Sequence, residues 1–374
     1  MTPRQKYWSI TVLIVLIIAG VFWTRGNLRK DTARDEPATP RYVVDALGRK
    51  VALPNIVKRI VALGNTPRMV VYLGLTENVV GVGSLPPDKI SPLTAYAYAV
   101  KDAWKDIPVV GTDAMGNTNY YSEEIVAVEP DVILCTYPEA TVKDLEKKTG
   151  VPVFSVSAGT LFDKDYEESL RLIGEVCGVE DRANEVVKYL NDSLEDLRHR
   201  TEGVSEDERP SVLSAAATFK GVHGIESVRL QDPVLDAVNV KNIAARQSGT
   251  PAAIVDREQI LVWNPDYIFC DFGGVPLVRE DQKKRPDFYE RLDAFSHGRV
   301  YQHPSSTSYF NNLEISLANC YFIGSILYPQ RFTDVDAREK AEEIFEFFLG
   351  RSDLMSALEE MGAFYGPIRL DEAR

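Results

Sequence analysis

The chain has 374 residues with 42 basic and 55 acidic side chains, a formal net charge of −13, and four cysteines. Such a length accommodates two domains that each bury a core, and the acidity argues against nucleic acid or anionic lipid as a partner. Residues 1–34 hold six basic side chains and one acidic one, so the remainder carries 36 basic and 54 acidic residues, net −18.

In chain order, Tyr7 to Trp23 is an almost wholly apolar run of seventeen residues, preceded by Arg4 and Lys6 and followed by Arg25, Arg29 and Lys30. It is short for a spanning helix and long for a cleavable signal, and no Ala-x-Ala site follows it. Residues 1–24 are expected as an export signal or, the favoured reading, an uncleaved membrane anchor with Trp8 and Trp23 at the two interfaces. Residues 25–40 read as a polar tether. Tyr42 to Pro54 shows two alternating runs around Ala-Leu-Gly-Arg, the pattern of a β-hairpin. Arg59 to Leu63 predicts a buried strand, followed by a helix with Asn65 or Thr66 as cap, Pro67 in its first turn and Gly74 at its end. Val79 to Val82 and Ile107 to Val110 predict further strands, Gly111 to Tyr120 a long polar loop, and Val151 to Val156 the last strand of an N-terminal sheet. From Asp163 to about Val204 the pattern is helical; within it Ala183, Val186, Val187, Leu190, Leu194 and Leu197 form one stripe. A helix of about 20 residues there spans roughly 30 Å. Pro210 to Ala215 and Arg299 to Tyr301 predict strands of a second half, which ends in helices over Leu313 to Leu327 and Asp336 to Leu349, capped by Gly350.

One stretch is written twice. Glu123 to Cys135 and Glu258 to Cys270 are related by an offset of 135 residues without a gap, with identity at Glu123/Glu258, Ile125/Ile260, Pro130/Pro265, Asp131/Asp266, Ile133/Ile268 and Cys135/Cys270. Each copy reads as a short amphipathic helix, a Pro-Asp stop and an apolar strand ending at the cysteine, where open α/β sheets place ligands. Two homologous halves are the consequence. The expected organisation is an N-terminal lobe over 41–178, a linking helix over 179–205, a C-terminal lobe over 206–350 and a tail over 351–374. The cysteines, Cys135, Cys177, Cys270 and Cys320, contain no CxxC; buried free thiols are expected, with a disulfide left open.

With hairpin, strands, repeat and strut in place, the chain resembles the periplasmic substrate-binding proteins of ABC importers for ferric siderophores, cobalamin and haem. The resemblance covers about Tyr42 to Gly350. It rests on Asp45-Ala-Leu-Gly-Arg-Lys-Val-Ala-Leu-Pro54, Arg59-Ile-Val-Ala-Leu63, Tyr72-Leu-Gly-Leu-Thr-Glu-Asn-Val-Val-Gly-Val82, Glu124-Ile-Val-Ala-Val-Glu-Pro-Asp-Val-Ile133, Lys148-Thr-Gly-Val-Pro-Val153 and Glu258-Gln-Ile-Leu261. It implies an α/β protein of two Rossmann-like, three-layer lobes joined by one long interdomain helix, with the ligand in the cleft between them and only slight opening and closing. It also implies an extracytoplasmic, monomeric, non-enzymatic carrier whose partners are an ABC permease, its ATPase and a small-molecule metal complex. Glu123 and Glu258 are implied to dock onto arginines of the permease; each can equally cap its own helix, where a carboxylate meets the positive dipole end.

Strand carboxyl ends select Thr66 and Arg68, the loop from Thr112 to Tyr121, Tyr137, Phe219 to Ser227 with Arg229, Phe272 and Gly273, and His303 to Asn312; within these the candidate ligand residues are Thr66, Arg68, Met115, Asn117, Tyr120, Tyr137, Lys220, His223, Arg229, Phe272, His303 and Tyr309. Aromatic rings offer flat apolar contact and guanidinium groups pair with carboxylates or phosphates, which suits a bulky, partly anionic metal complex such as an iron chelate or corrinoid. Met115 and His223 together form a competent axial pair for haem iron, although each has a structural reading as well. Cys135 and Cys270 lack the close His, Cys or Asp spacing of a metal site. His199 is expected to be solvated and His297 to lie in a turn, while Trp263 is expected in a core. The chain contains no Gly-x-Ser-x-Gly elbow, His-Glu-x-x-His, Walker A loop or Gly-x-Gly-x-x-Gly, which sets a chelatase- or reductase-like enzyme well behind a carrier. An anchored ligand sensor is the third reading, and the ligand stays open among siderophore, cobalamin, haem and metal oxyanion.

Overall fold

The computed structural model describes residues 40–83, 90–114, 117–218, 221–245, 250–308 and 310–368. The chain divides at Arg41 into two compact units. The apolar run and nearly all of the tether belong to the first and lie outside the described residues, and the second is Tyr42–Arg374. No helix among the described residues is long and apolar enough to cross a membrane.

The expected hairpin is β1 (Arg41–Val44) and β2 (Lys50–Leu53). Asp45 closes it by accepting from the amides of Leu47 and Arg49 at 3.0 and 2.9 Å. The first lobe then runs β3 (Ile60–Ala62), α1 (Thr66–Tyr72), β4 (Val79–Gly83), α2 (Ala95–Ala99), β5 (Val109–Ala114), β6 (Asn117–Tyr120), α3 (Ser122–Ala127), β7 (Val132–Cys135), α4 (Glu139–Thr149), β8 (Val153–Ser155) and α5 (Lys164–Cys177). Its sheet has the order β6-β5-β4-β3-β7-β8, parallel except for β6. The segment expected as a polar loop is thus a hairpin, with Gly111 opposite Tyr120. A run whose few apolar residues, Ala114, Met115 and Tyr120, do not alternate lacks the pattern by which a strand is recognised.

The linking helix is α6 (Glu180–Thr201). Beyond it come β9 (Ser211–Ala215), β10 (Ser227–Arg229), α7 (Pro233–Ala237), β11 (Lys241–Asn242), β12 (Ala252–Ile254), α8 (Arg257–Trp263), β13 (Tyr267–Asp271), α9 (Val275–Lys284), α10 (Pro286–Glu290), α11 (Asp293–Ser296), β14 (Val300–His303), β15 (Thr307–Ser308), β16 (Phe310–Asn311), α12 (Leu313–Leu327), α13 (Ala337–Leu349), α14 (Leu354–Glu360) and β17 (Gly366–Pro367). The second sheet has the order β12-β10-β9-β13-β14-β17, with β11 also on β9.

The two copies of the repeat occupy matching places. β7 lies between β3 and β8, and β13 between β9 and β14, all parallel. Asp131 accepts from the amides of Lys58 and Arg59 at 2.8 and 2.9 Å, tying the start of β7 to that of β3. Asp266 does the same for β13 and β9, accepting from the amide and hydroxyl of Ser211 at 2.8 and 2.7 Å.

Alternation on the strands sorts the core into layers. Val61, Ile133 and Cys135 point to an outer core of the first lobe, and Leu213, Ile268 and Cys270 to one of the second. Ile60, Ala62, Leu134, Val212 and Phe269 point the other way, into one core shared by both sheets through α1, α5, α6, α12 and α13. On α6 the buried face includes Val186, Leu190, Ser193 and Leu197, with Leu194 only half-buried. α13, expected within the C-terminal lobe, packs across the division: Phe348 meets Tyr72 edge-on at 5.2 Å, and Phe347 stacks on Tyr189 at 4.0 Å. Residues 351–368, expected as a tail, are folded as well. Leu354, Met355 and Leu358 are fully buried, and β17 extends the second sheet along β14. All four cysteines are thiols outside any disulfide, with Cys177 the half-buried one.

Candidate functional site

Strand carboxyl ends of the two lobes meet at a cavity of about 230 Å3. Thr160 and Leu161, following β8, contribute from the first lobe; Arg229, Gln231, His303, Thr307, Asn311 and Asn319 contribute from the second. The lining mixes hydroxyl and amide side chains with the Asp232 carboxylate and the apolar Leu161, Pro233, Val234, Pro251, Ala252 and Ile323, around one guanidinium held in place. Arg229 ends β10, and its Nη2 donates to Thr307 Oγ1 at 3.1 Å while lying 3.8 Å from Asp271 Oδ2. Asp271 ends β13 and is 2% exposed. Its Oδ1 accepts from the Gly273 amide at 3.1 Å, from the Thr218 hydroxyl at 3.4 Å and from the Ser305 hydroxyl. Its Oδ2 accepts no hydrogen bond among the described residues and faces the guanidinium. A carboxylate fixed in this way sets the plane of the Arg229 fork and leaves further N–H groups for a guest.

The local sequence explains the placement. Asp271 caps the single turn Phe272–Gly274. A Cβ on Gly274 would stand 2.3 Å from the His223 carbonyl and 2.7 Å from the Ala216 side chain, so only glycine lets the 221–224 segment close over this turn. In the first lobe, Gly64 (φ +65°) plays the comparable part: a Cβ there would meet Thr136 Oγ1 at 2.3 Å. That hydroxyl instead accepts from the Asn65 amide at 3.1 Å. His303, 8% exposed, has its Nδ1 at 3.0 Å from the Pro304 carbonyl and 3.1 Å from Asn319 Nδ2. Burial pushes its imidazole below the ordinary range, against the pull of the Asp271 and Asp232 carboxylates.

Of the twelve residues expected to touch ligand, Arg229 and His303 come together at this cavity. Thr66 does not: it is fully buried and donates to the Leu63 and Leu134 carbonyls at 2.8 and 3.1 Å. Arg68 is 1% exposed, lying 5.0 Å from the centre of the Tyr96 ring and 5.7 Å from that of Phe310, and donates to the Asn311 carbonyl; it belongs to the joint between lobes. Tyr120 donates to Asp144 on α4, with the Lys148 ammonium 5.5 Å from its ring, and lines no part of the cavity. Tyr137 is buried in the outer core of the first lobe. His223 is half-buried beside Gly274 and lies outside the cavity lining. Phe272 lines a different cavity, of about 550 Å3, between the start of α9 and residues 360–367. Asn117 opens β6 opposite Ala114, and nothing is described of its side chain. Met115, Lys220 and Tyr309 lie outside the described residues, and the Met115–His223 pair with them.

Asp271, Gln231 and Asn319 were missed, whereas Thr307 and Asn311 fall within the stretch His303 to Asn312 that strand carboxyl ends select as a whole. A signal existed for Asp271, because at an offset of 135 it is the counterpart of Thr136: the repeat continues one position and exchanges a hydroxyl for a carboxylate. Glu123 and Glu258 are both exposed in the first turns of α3 and α8. His199 is exposed, His297 ends α11 before Gly298, and Trp263 is half-buried against the outer core of the second lobe. Among the described residues no group of three or more His, Cys, Asp or Glu could hold a metal ion.

Comparison with known proteins adds three findings. The model of the periplasmic binding protein family matches residues 60–307. An ABC transporter substrate-binding lipoprotein of Bacillus subtilis is 25% identical over 306 residues, covering 80% of this chain and 90% of its own. The molybdate-binding protein MolA of Haemophilus influenzae is 26% identical over 338 residues, covering 82% and 90%. Its structure with molybdate superposes with a TM-score of 0.64 at 21% identity, over 88% of this chain and 100% of that one. A periplasmic solute-binding protein of Veillonella parvula superposes with a TM-score of 0.65 at 19% identity, over 83% and 93%.

Proposed function

The chain belongs to the periplasmic binding protein family, and on that premise we propose that its cleft captures a compact anionic metal species for an ABC importer. Substrate-binding proteins of this kind work with a permease and an ATPase, and the family binds and delivers rather than transforms. The observation that carries the ligand class is Arg229, whose guanidinium lies beside a buried carboxylate at a small cleft lined in part by hydroxyls and amides. Such donors suit an oxyanion or the carboxylate edge of a small iron chelate. The cavity of about 230 Å3 is below the roughly 300–1,000 Å3 of sites for drug-sized ligands, which favours a compact anion over the corrinoid or haem also expected from sequence. That a relative is named for molybdate supports the same choice. Residues 1–24 would anchor the carrier at the outer face of the cytoplasmic membrane, and Glu123 and Glu258 would dock it, as a monomer, on the permease.

Isothermal titration with molybdate, tungstate, ferric citrate, cobalamin and haemin tests this. Molybdate, tungstate or ferric citrate should bind saturably, and Arg229→Met should weaken that binding by about 10- to 100-fold. Saturable binding of cobalamin or haemin alone, indifferent to Arg229→Met, would overturn the assignment.

A further inference from the structure

Arg68 and Arg229 stand in different lobes, yet one line of contacts joins them. Arg229 Nη2 donates to Thr307 Oγ1 at 3.1 Å, and that hydroxyl donates in turn to Asn311 Oδ1 at 3.1 Å. The main-chain carbonyl of the same Asn311 accepts from Arg68 Nη1. The neighbouring residues reinforce the junction. Phe310 presents its ring 5.7 Å from the Arg68 guanidinium, whose other flank meets Tyr96 at 5.0 Å. Asn312 donates from Nδ2 to the Leu93 carbonyl at 2.9 Å and from its amide to Ser306 O at 2.7 Å. The short hairpin of β15 and β16 thus rises from the second lobe, is held by Arg68 and, through the adjoining Asn312, by Leu93 of the first, and offers Thr307 to the arginine that faces the cleft.

We propose that Arg68 is a positioning residue for ligand capture: it touches no ligand but, through the hairpin carrying Thr307 and Asn311, holds Arg229 in its binding orientation from the opposite lobe. This rests on the reading of Arg229 as the ligand's anchor. An arginine buried to 99% is an expensive component unless its charge meets fixed partners; these include the nearby Glu314 carboxylate, the Tyr96 ring of its own lobe and, from the opposite lobe, the Asn311 carbonyl and the Phe310 ring, which reach it only while the lobes are together. Affinity and lobe placement are then two readings of one equilibrium: whatever loosens the hairpin from Arg68 releases Thr307 from Arg229, and the reverse holds equally.

The test uses Arg68→Met, Thr307→Val and the double variant in the full chain. In the ligand-free protein, Thr307→Val should speed amide hydrogen exchange about 10-fold at Asn312 in the second lobe and also at residues 93–98 in the first, and Arg68→Met should do likewise. Acceleration confined to the lobe that carries the substitution overturns the proposal whether or not any ligand is known. With molybdate as probe, each single variant should raise Kd about 10-fold and the double variant no further than the larger single effect. Independent losses that multiply to about 100-fold would mark two unconnected structural defects and overturn it as well. If wild-type protein binds none of the anions, the ligand assignment fails while the exchange measurement still decides the coupling. Should Arg68→Met not fold, Phe310→Leu, which withdraws one ring from the guanidinium, takes its place.

Discussion

Asp131 and Asp266 show how one residue type acts identically at two places 135 residues apart. Each sits after a proline that no helix can continue through, and each accepts two hydrogen bonds from the start of the neighbouring strand. These carboxylates are partly exposed, so Asp131→Asn should cost about 1 kcal/mol, read as a lower urea midpoint with an unchanged slope. His303 behaves differently because it is buried. Its folded pKa is lowered from 6.5, so the folded protein binds fewer protons than the unfolded chain below neutrality. The stability this contributes is present above about pH 6.5 and is lost as pH falls through the folded value. Urea unfolding at pH 7 and pH 5 should therefore show a loss on acidification that shrinks in His303→Gln; an identical loss in both proteins would refute it. Which polar residues at strand ends meet the cleft was only partly legible. Arg229 and His303 reach the cavity as long or ring side chains at strand ends. Thr66 and Tyr137 were misassigned because a hydroxyl can be satisfied by a carbonyl three residues away, or a ring absorbed by a core, without any trace in the local sequence.

Strands and helices with strong periodicity were legible to within a few residues, and α12 ends where its apolar run ends. The β5–β6 hairpin was not, because its few apolar residues past Val110 show no alternation. The last helix was overlooked although Leu354, Met355 and Leu358 have the spacing of a buried stripe, a pattern too short to stand out over seven residues. Its contribution is testable. Removing residues 351–374 deletes three fully buried side chains and the edge strand β17, together worth about 5 kcal/mol at 1.5–3 kcal/mol per large apolar side chain. That is of the order of a whole domain's stability, so the shortened chain should aggregate or unfold at low urea. A truncated protein as resistant to urea as the full chain would contradict this packing.

At the scale of the molecule, duplication was the legible feature, and it predicted two lobes with matched helices at Glu123 and Glu258. If those acids dock the permease, Glu123→Arg together with Glu258→Arg should abolish uptake in cells while the purified variant keeps wild-type ligand affinity; unimpaired uptake would refute docking. What sequence did not reveal is that α13 crosses to the first lobe. An amphipathic stripe states that a helix has a partner but not which one, and Phe347 and Phe348 would suit either side equally well.

The crossing has a mechanical result. Phe348 on Tyr72 makes a second seam between the halves apart from the covalent linker, while Phe347 on Tyr189 fastens α13 to the linking helix itself. Wide separation of the halves has to part Phe348 from Tyr72, so that aromatic contact is one the cleft must break in order to gape.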